Sequence, residues 1–342
     1  MQTLLGKTQE DILLITQKLN IKSFVAKQIC HWLYKKNVIN IDEMSNIAIA
    51  VRKKLKSDFI IGYTPFSKEV ISKDGTRKYL FQYDDLFIEA VLIFDNQRVT
   101  LCISSQAGCK MNCDFCATGK QGFYRNLNSN EILNIFATLN QLFPISNIVF
   151  MGMGEPLDNF AEIKKVLDIL TSEWGYGLSP RRITLSTAGY LKKLKEFIDS
   201  TQVDLAISLH NPISSERQAM MPIEKAYKIE SVINLLRQYD WKGQRHLTFE
   251  YIVFDNINSD ARHVNALAQL LNGLKCRINL IRFHSIPNTQ YKGVSDAKMK
   301  EFAQQLKNKG FNVTIRASKG EDISAACGLL STKEMQKNIK IS

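Results

Sequence analysis

The pattern that most constrains this fold is an alternation of short apolar strands with helical segments, beginning near residue 95. Strand candidates fall at 98–104, 147–151, 182–186, 203–209, 247–253 and 277–281, with helical periodicity near 129–142, 160–172, 190–200, 228–239 and 259–271. A further helix at 295–309 precedes a last strand at 312–316. Repeated strand-then-helix order predicts an α/β architecture, a parallel sheet joined by right-handed crossovers. Six such units are too few for a full eight-fold barrel, which leaves an open six-unit partial barrel or a doubly wound sheet. In either, chemistry collects in the loops after the strands' C-terminal ends. Those loops concentrate glycine and polar residues: Ser105-Gln106-Ala107-Gly108-Cys109, Gly152-Met153-Gly154-Glu155-Pro156, Thr187-Ala188-Gly189, His210-Asn211-Pro212 and His284-Ser285-Ile286-Pro287.

Upstream the pattern differs. Residues 8–19, 23–36 and 41–56 read as three short helices, with Thr8, Ser23 and Asp42 as N-caps and Ile12/Ile15/Leu19 and Val25/Ile29/Trp32/Leu33 at helical spacing. A β-rich stretch follows, in which Asp74-Gly75 signals a turn beside strands at 79–81 and 87–93. The expected organisation is a small helical unit at 1–60, a β-rich connector at 61–94, the α/β core at 95–321 and a C-terminal segment at 322–342. With 45% hydrophobic and 23% charged residues in 342, the chain can bury a core of that size. No apolar run approaches the ~18 residues of a membrane span, and the N-terminus lacks a secretory apolar region. A soluble cytoplasmic protein is expected.

Lys and Arg outnumber Asp and Glu by 45 to 33, a net charge of +12, and residues 1–60 hold ten basic and five acidic side chains. Such an excess suits a polyanion, because neutralised phosphates release counterions. Solubility alone is the simpler reading. Trp32, Tyr34, Lys35 and Lys36 are candidate RNA contacts, although Trp32 alone reads as core.

Seven cysteines, an odd number, argue against a disulfide framework. Cys30 and Cys276 lie in amphipathic or apolar segments and read as core. Four others crowd into residues 102–116. Cys109, Cys113 and Cys116 form C-x₃-C-x₂-C, a spacing that chance would supply roughly 0.003 times in a chain of this composition. Three thiolates on one loop can hold three irons of a [4Fe–4S] cluster and leave the fourth open. Zinc is the alternative, but a structural zinc site wants four protein ligands and no second cysteine pair is evident. In the next strand loop, Gly154 permits close backbone approach to a ligand and Glu155 can accept from an ammonium group.

The cysteine loop, with Phe115 before its last cysteine, resembles that of radical S-adenosylmethionine enzymes. The likeness extends to Thr100-Leu101-Cys102-Ile103-Ser104-Ser105-Gln106-Ala107-Gly108-Cys109, Met151-Gly152-Met153-Gly154-Glu155-Pro156, Ser186-Thr187-Ala188-Gly189, Ser208-Leu209-His210 and Asp322-Ile323-Ser324-Ala325-Ala326-Cys327-Gly328, in that order. Together these resemble the RlmN/Cfr family of rRNA methyltransferases over nearly the whole chain. The resemblance implies a partial (β/α)6 radical-SAM barrel with a helical N-terminal accessory domain that binds RNA. It also implies a [4Fe–4S] cluster on Cys109, Cys113 and Cys116, with S-adenosylmethionine chelated at the open iron. By the same resemblance Gly154, Glu155, Ser186, Ser208, Leu209, His210 and His284 contact S-adenosylmethionine. His284 departs from the family, which often has Asn there.

The implied reaction is methylation of C2 of adenosine 2503 in 23S rRNA. The family also allows C2 of adenosine 37 in some tRNAs as a target. Carbon 2 is electron-poor and lacks an acidic proton, so direct nucleophilic attack on a methyl sulfonium fails. In the family's route one S-adenosylmethionine methylates the cysteine matching Cys327. A second yields the radical that abstracts hydrogen from that methyl group, and the resulting carbon radical adds to the base. The cysteine matching Cys102 then resolves the adduct by disulfide formation, and Glu89 maps to the proposed proton acceptor. A buried strand cysteine, a free surface thiol and an exposed strand face are the plain structural readings of Cys102, Cys327 and Glu89. The partners implied are 23S rRNA, tRNA and a flavodoxin-like one-electron reductant, with a monomer and no membrane. Three alternatives stay open at this point: C8 methylation of the same base, another radical enzyme such as a maturase, and a non-catalytic iron–sulfur RNA-binding protein.

Overall fold

The computed structural model describes residues 1–241, 243, 245–286, 289–326 and 328–330. Its strands are β1 Gln2–Thr3, β2 Phe59–Ile60, β3 Phe66–Ile71, β4 Arg77–Tyr83, β5 Leu86–Asp95, β6 Arg98–Cys102, β7 Gln106–Gly108, β8 Phe123–Asn126, β9 Asn147–Phe150, β10 Ile183–Thr187, β11 Asp204–Ser208, β12 Leu247–Val253, β13 Arg277–Arg282 and β14 Asn312–Ile315. The α-helices are α1 Gln9–Lys18, α2 Phe24–Tyr34, α3 Ile49–Asp58, α4 Ala117–Gln121, α5 Ser129–Leu142, α6 Phe160–Thr171, α7 Leu191–Ser200, α8 Ser214–Met220, α9 Ile229–Leu236, α10 Ala261–Leu271 and α11 Asp296–Asn308.

Ten strands form one sheet in the order β14-β13-β12-β11-β10-β9-β6-β5-β4-β3. From β6 to β14 every neighbouring pair is parallel. The order follows the chain without reversal. A doubly wound sheet needs a point where the strand order turns back. Its absence here, with right-handed crossovers, places the helices on one side and curls the sheet into an open partial barrel. The antiparallel strands β3, β4 and β5 extend that sheet beyond β6.

Helix starts follow local chemistry. Thr8 caps α1 in a reciprocal capping box with Asp11, and Asn128 does the same for α5 with Glu131. Two expectations are corrected. Ser23 makes no side-chain cap bond. The helix expected at 41–56 divides into a 3₁₀ turn at Ile41–Glu43, capped by Asn40 rather than Asp42, and α3. The largest apolar core joins the barrel strands to α5 and α6 and includes Leu4, Ile12, Ile29 and Leu33 of the N-terminal region.

Candidate active site

A cavity of about 160 Å³ opens at the C-terminal ends of the barrel strands. Cys109, Cys113 and Cys116 line it together with Gly154 and Glu155 after β9, Ser186 on β10, and Ser208 and His210 at the end of β11. Cys109 and His210, 101 positions apart in sequence, thus meet because parallel strands in chain order deliver successive loops to one rim.

The cysteine loop is suspended between β7 and β8, which pair with each other outside the main sheet. Gly108 has φ +76, and any side chain there would collide with the Gly122 carbonyl oxygen. The Cys109 amide donates to that carbonyl at 2.8 Å, which closes the loop. Phe115 is buried edge-on against His210, with ring centroids 4.9 Å apart, and packs on Phe254. Met220, Met221 and Ile223 complete an apolar cover around the loop.

The glycine-rich loop after β9 is held by β7 and the segment that joins β6 to it. Ser104 Oγ accepts from the Met153 amide at 2.9 Å, and Gln106 Oε1 accepts from the Glu155 amide at 2.9 Å. Gly154 has φ +100, and a Cβ there would lie 2.5 Å from Gln106 Cβ. The close approach this glycine serves is therefore to Gln106 as well as to the cavity. Glu155 Oε1 accepts from the Leu157 amide at 3.0 Å and Oε2 from the Ala188 amide at 2.8 Å. Burial pushes its carboxyl up to about 7, against the pull of these amides.

His210 has φ +55. Its Nδ1 accepts from the Ile252 amide at 3.1 Å, which leaves the proton of the neutral ring on Nε2. Burial, aided by Arg217, lowers its pKa to about 3, so the ring is neutral. Leu209 has its side chain in the main core, and its carbonyl accepts from Arg217 Nε at 3.0 Å.

The donor set fits an iron–sulfur cluster. Burial raises the Cys109 thiol to about 12 and the Cys113 thiol well above its ordinary value, and the neighbouring cysteines push both further. Such thiols ionise together only around a cationic centre, which inverts the local charge balance. Among the described residues no three His, Cys, Asp or Glu side chains converge on a single-ion position. A cubane needs no such convergence, since each thiolate takes its own iron.

A second cleft of about 470 Å³ adjoins the first, and Met151, Ile281 and Arg316 line both. Cys102 lies in this cleft at 8% exposure, packed with Val91, Met153, Ala325 and Leu330. His284 also lines this cleft rather than the cysteine-lined cavity, with Nε2 2.8 Å from Ser318 Oγ. Glu89 is buried on β5, where Lys78 Nζ lies 3.1 Å from its Oε1. Cys327 lies outside the described residues. On one side of it Ala326 lines the Cys102 cleft; on the other Gly328 lines the cysteine-lined cavity and accepts from the Ala117 amide at 2.8 Å.

Sequence reasoning missed Arg217 and Glu250. Arg217 is fully buried; it donates to the carbonyls of Ala188, Ser208 and Leu209 and pairs with Glu224. Its setting in Ser214-Ser215-Glu216-Arg217-Gln218 reads as a solvated helix, so no signal pointed to it. Glu250 lines the cysteine-lined cavity from β12. Its polarity in the apolar run Leu247–Val253 was the available signal.

Several known proteins resemble this chain in sequence and fold. A family model for the radical SAM superfamily matches residues 103–267, and one for the ribosomal RNA large subunit methyltransferase N-terminal domain matches residues 2–61. The chain is 51% identical over 330 residues to a probable dual-specificity RNA methyltransferase RlmN of Parabacteroides distasonis, covering 96% of each. It is 40% identical over 335 residues to the dual-specificity RNA methyltransferase RlmN of Syntrophus aciditrophicus, again covering 96% of each. Among solved structures, a radical SAM methyltransferase from Sphaerobacter thermophilus superposes with a TM-score of 0.89 at 34% identity, covering 96% of this chain and 99% of that one.

Proposed function

Because this chain belongs to the RlmN family of dual-specificity RNA methyltransferases, we propose that it methylates C2 of adenosine 2503 in 23S rRNA, and C2 of adenosine 37 in some tRNAs. The observation that carries this reading is the pair of adjoining cavities. One gathers Cys109, Cys113 and Cys116 with the strand-end residues; the other holds Cys102 and the flank of Cys327.

Cys109, Cys113 and Cys116 would hold the [4Fe–4S] cluster, and Gly154, Glu155, Ser186, Ser208 and His210 would face S-adenosylmethionine. Bound there, these groups supply one-electron cleavage of a sulfonium and so hydrogen abstraction from an unactivated methyl group. The apolar cover of Phe115, Met220, Met221 and Phe254 keeps water from that chemistry. Cys327 carries the methyl group on sulfur and presents it to the base. Cys102 sulfur attacks Cys327 sulfur and forms a disulfide with it as the bond between Cys327 sulfur and the transferred carbon breaks; the bonding pair goes to the carbon, which takes up a proton to become the methyl group. Glu89, steadied by Lys78, accepts the proton that the base gives up. The disulfide must be reduced before the next turnover.

The test is anaerobic reconstitution with an rRNA fragment, followed by mass spectrometry of the digested nucleosides. 2-Methyladenosine is the expected product. 8-Methyladenosine would transfer the assignment to the C8 reaction. Protein with an assembled cluster that cleaves S-adenosylmethionine yet leaves adenosine unmethylated would end the reading.

A further inference from the structure

Glu250 stands on β12 directly beside Ser208 of β11, the two being paired in register. The residue is 3% exposed and lines the cysteine-lined cavity. Oε1 accepts from Asn279 Nδ2 at 3.0 Å. Oε2 has no hydrogen-bond donor among the described residues. The guanidinium of Arg316 lies 3.8 Å from Oε2, close enough to balance its charge but too far for a hydrogen bond. That guanidinium donates instead to Met151 Sδ.

A buried carboxylate oxygen that lacks a donor carries an uncompensated desolvation cost, and folded proteins tolerate few such atoms. Here the side chain that carries the atom lines the cavity that the cysteines share. We propose that Glu250 accepts hydrogen bonds from the ribose hydroxyls of S-adenosylmethionine and so fixes the nucleoside half of that ligand. This rests on the radical S-adenosylmethionine reading of the cavity.

Position around the rim selects the hydroxyls from the donors that the ligand offers. Its ammonium belongs beside the cysteines and the Gly154-Glu155 loop after β9. β12 lies three strands further round, past Ser186 and Ser208. The apolar Ile252 and Ile281 follow on the same wall and suit the face of an adenine ring. The adenine amino group is a weaker candidate, because the ring nitrogen next to it wants a donor and a carboxylate has none. A vicinal diol placed between the methionine and adenine ends presents two O–H donors. The two lone pairs of Oε2 can take both. Arg316 also borders the Cys102 cleft, so an anchored ribose would be fixed relative to the place where the base must react.

The experiment measures equilibrium binding to the unreduced, cluster-loaded protein, in which no turnover occurs. S-adenosylmethionine is compared with its 2′,3′-dideoxy analogue and its N6-methyl analogue. The wild type should prefer the natural ligand to the dideoxy analogue by about 10- to 100-fold, the range of a charge-assisted hydrogen bond. In Glu250→Gln that preference should fall to within a few-fold, while discrimination against the N6-methyl analogue stays as in the wild type. Glu250→Asp keeps the charge near Arg316 but shortens the reach; it should lose the preference likewise, and serves if the Gln variant fails to hold its cluster. Full retention of the hydroxyl preference in a cluster-loaded variant would overturn the proposal. So would loss of amino-group discrimination in its place. A wild-type protein with an intact cluster that binds none of the three ligands would overturn the radical S-adenosylmethionine reading and this inference together.

Discussion

At the scale of single residues, Arg217 organises the site without belonging to its visible motifs. Its guanidinium gathers the ends of β10 and β11 by donating to three carbonyls, and Glu224 answers its charge. Glu224 in turn accepts from Ser214 Oγ at 2.7 Å and from the Ile229 amide. Removing one partner strands the other in the core, so Arg217→Ala should cost about 3–5 kcal/mol in urea unfolding of the apoprotein. The paired exchange Arg217→Met with Glu224→Leu should cost less, since it leaves no buried charge. Equal losses in both variants would mean that the carbonyl contacts, not the ion pair, carry the stability. His210 gives a pH signature. Its pKa is about 3 when folded and near 6.5 as a free side chain, so between those values the unfolded chain binds a proton that the folded chain refuses. The stability is therefore complete above about pH 6.5 and is lost as pH falls toward about 3. His210→Asn tolerates the positive φ and offers Oδ1 to the Ile252 amide. Over that window the variant's stability should fall less steeply, by about 1.4 kcal/mol per pH unit. Identical slopes would show that His210 protonates freely in the folded chain.

At the scale of elements, the turn between β3 and β4 clasps the segment that leads to Cys327. Asp322 accepts from Ser72 Oγ at 2.5 Å and from the Lys73 amide at 3.1 Å, while Asp74 Oδ2 accepts from the Gly320 amide at 3.0 Å. Burial would raise the Asp74 carboxyl, but donors from Thr76 and Gly320 overcome it and hold the pKa near 2. The clasp thus holds at neutral pH and weakens as pH falls from about 4 toward 2. Asp322→Ala should speed hydrogen exchange of amides 318–326 by roughly tenfold at neutral pH, as loss of one or two hydrogen bonds implies. It should also raise S-adenosylmethionine cleavage relative to RNA methylation; unchanged exchange would remove the clasp's positioning role. The alternation of strands and helices was legible because buried parallel strands read as apolar runs, and 247–253 coincides with β12. The edge strand β3 was not legible. Its Ser67, Lys68 and Glu69 are exposed, and an edge strand facing water carries little apolar pattern. The split at 41–56 escaped for a different reason: Asn40 accepts from the Asp42 amide and starts a separate 3₁₀ turn, a competition that helical spacing does not register.

At the scale of the whole molecule, the sequence divides more sharply than the fold. The helical N-terminal region and the barrel share one apolar core, and Tyr34, a candidate RNA contact by sequence, is buried within it. Its hydroxyl donates to the Lys7 carbonyl at 2.5 Å, and its ring meets Trp174 and Tyr176 edge-on. Asn130 Nδ2 on α5 donates to the Gly62 carbonyl at 3.0 Å, and Asn134 exchanges bonds with the backbone of Thr64. Composition marks a basic segment, but only three-dimensional packing shows that removing it would open the barrel's own core. A test of the N-terminal region as an RNA-binding surface must therefore alter charge and leave packing alone. Lys53 and Lys54 on α3 are exposed, while Leu55 behind them is fully buried. Reversing both, Lys53→Glu with Lys54→Glu, should leave the thermal midpoint nearly unchanged. If each lysine neutralises one RNA phosphate, the slope of log affinity against log salt should shrink by about 1.4, at roughly 0.7 per phosphate on single strands. Filter binding to an rRNA fragment across a salt series measures that slope. An unaltered slope in a folded double variant would place the phosphate contacts on another face of the molecule.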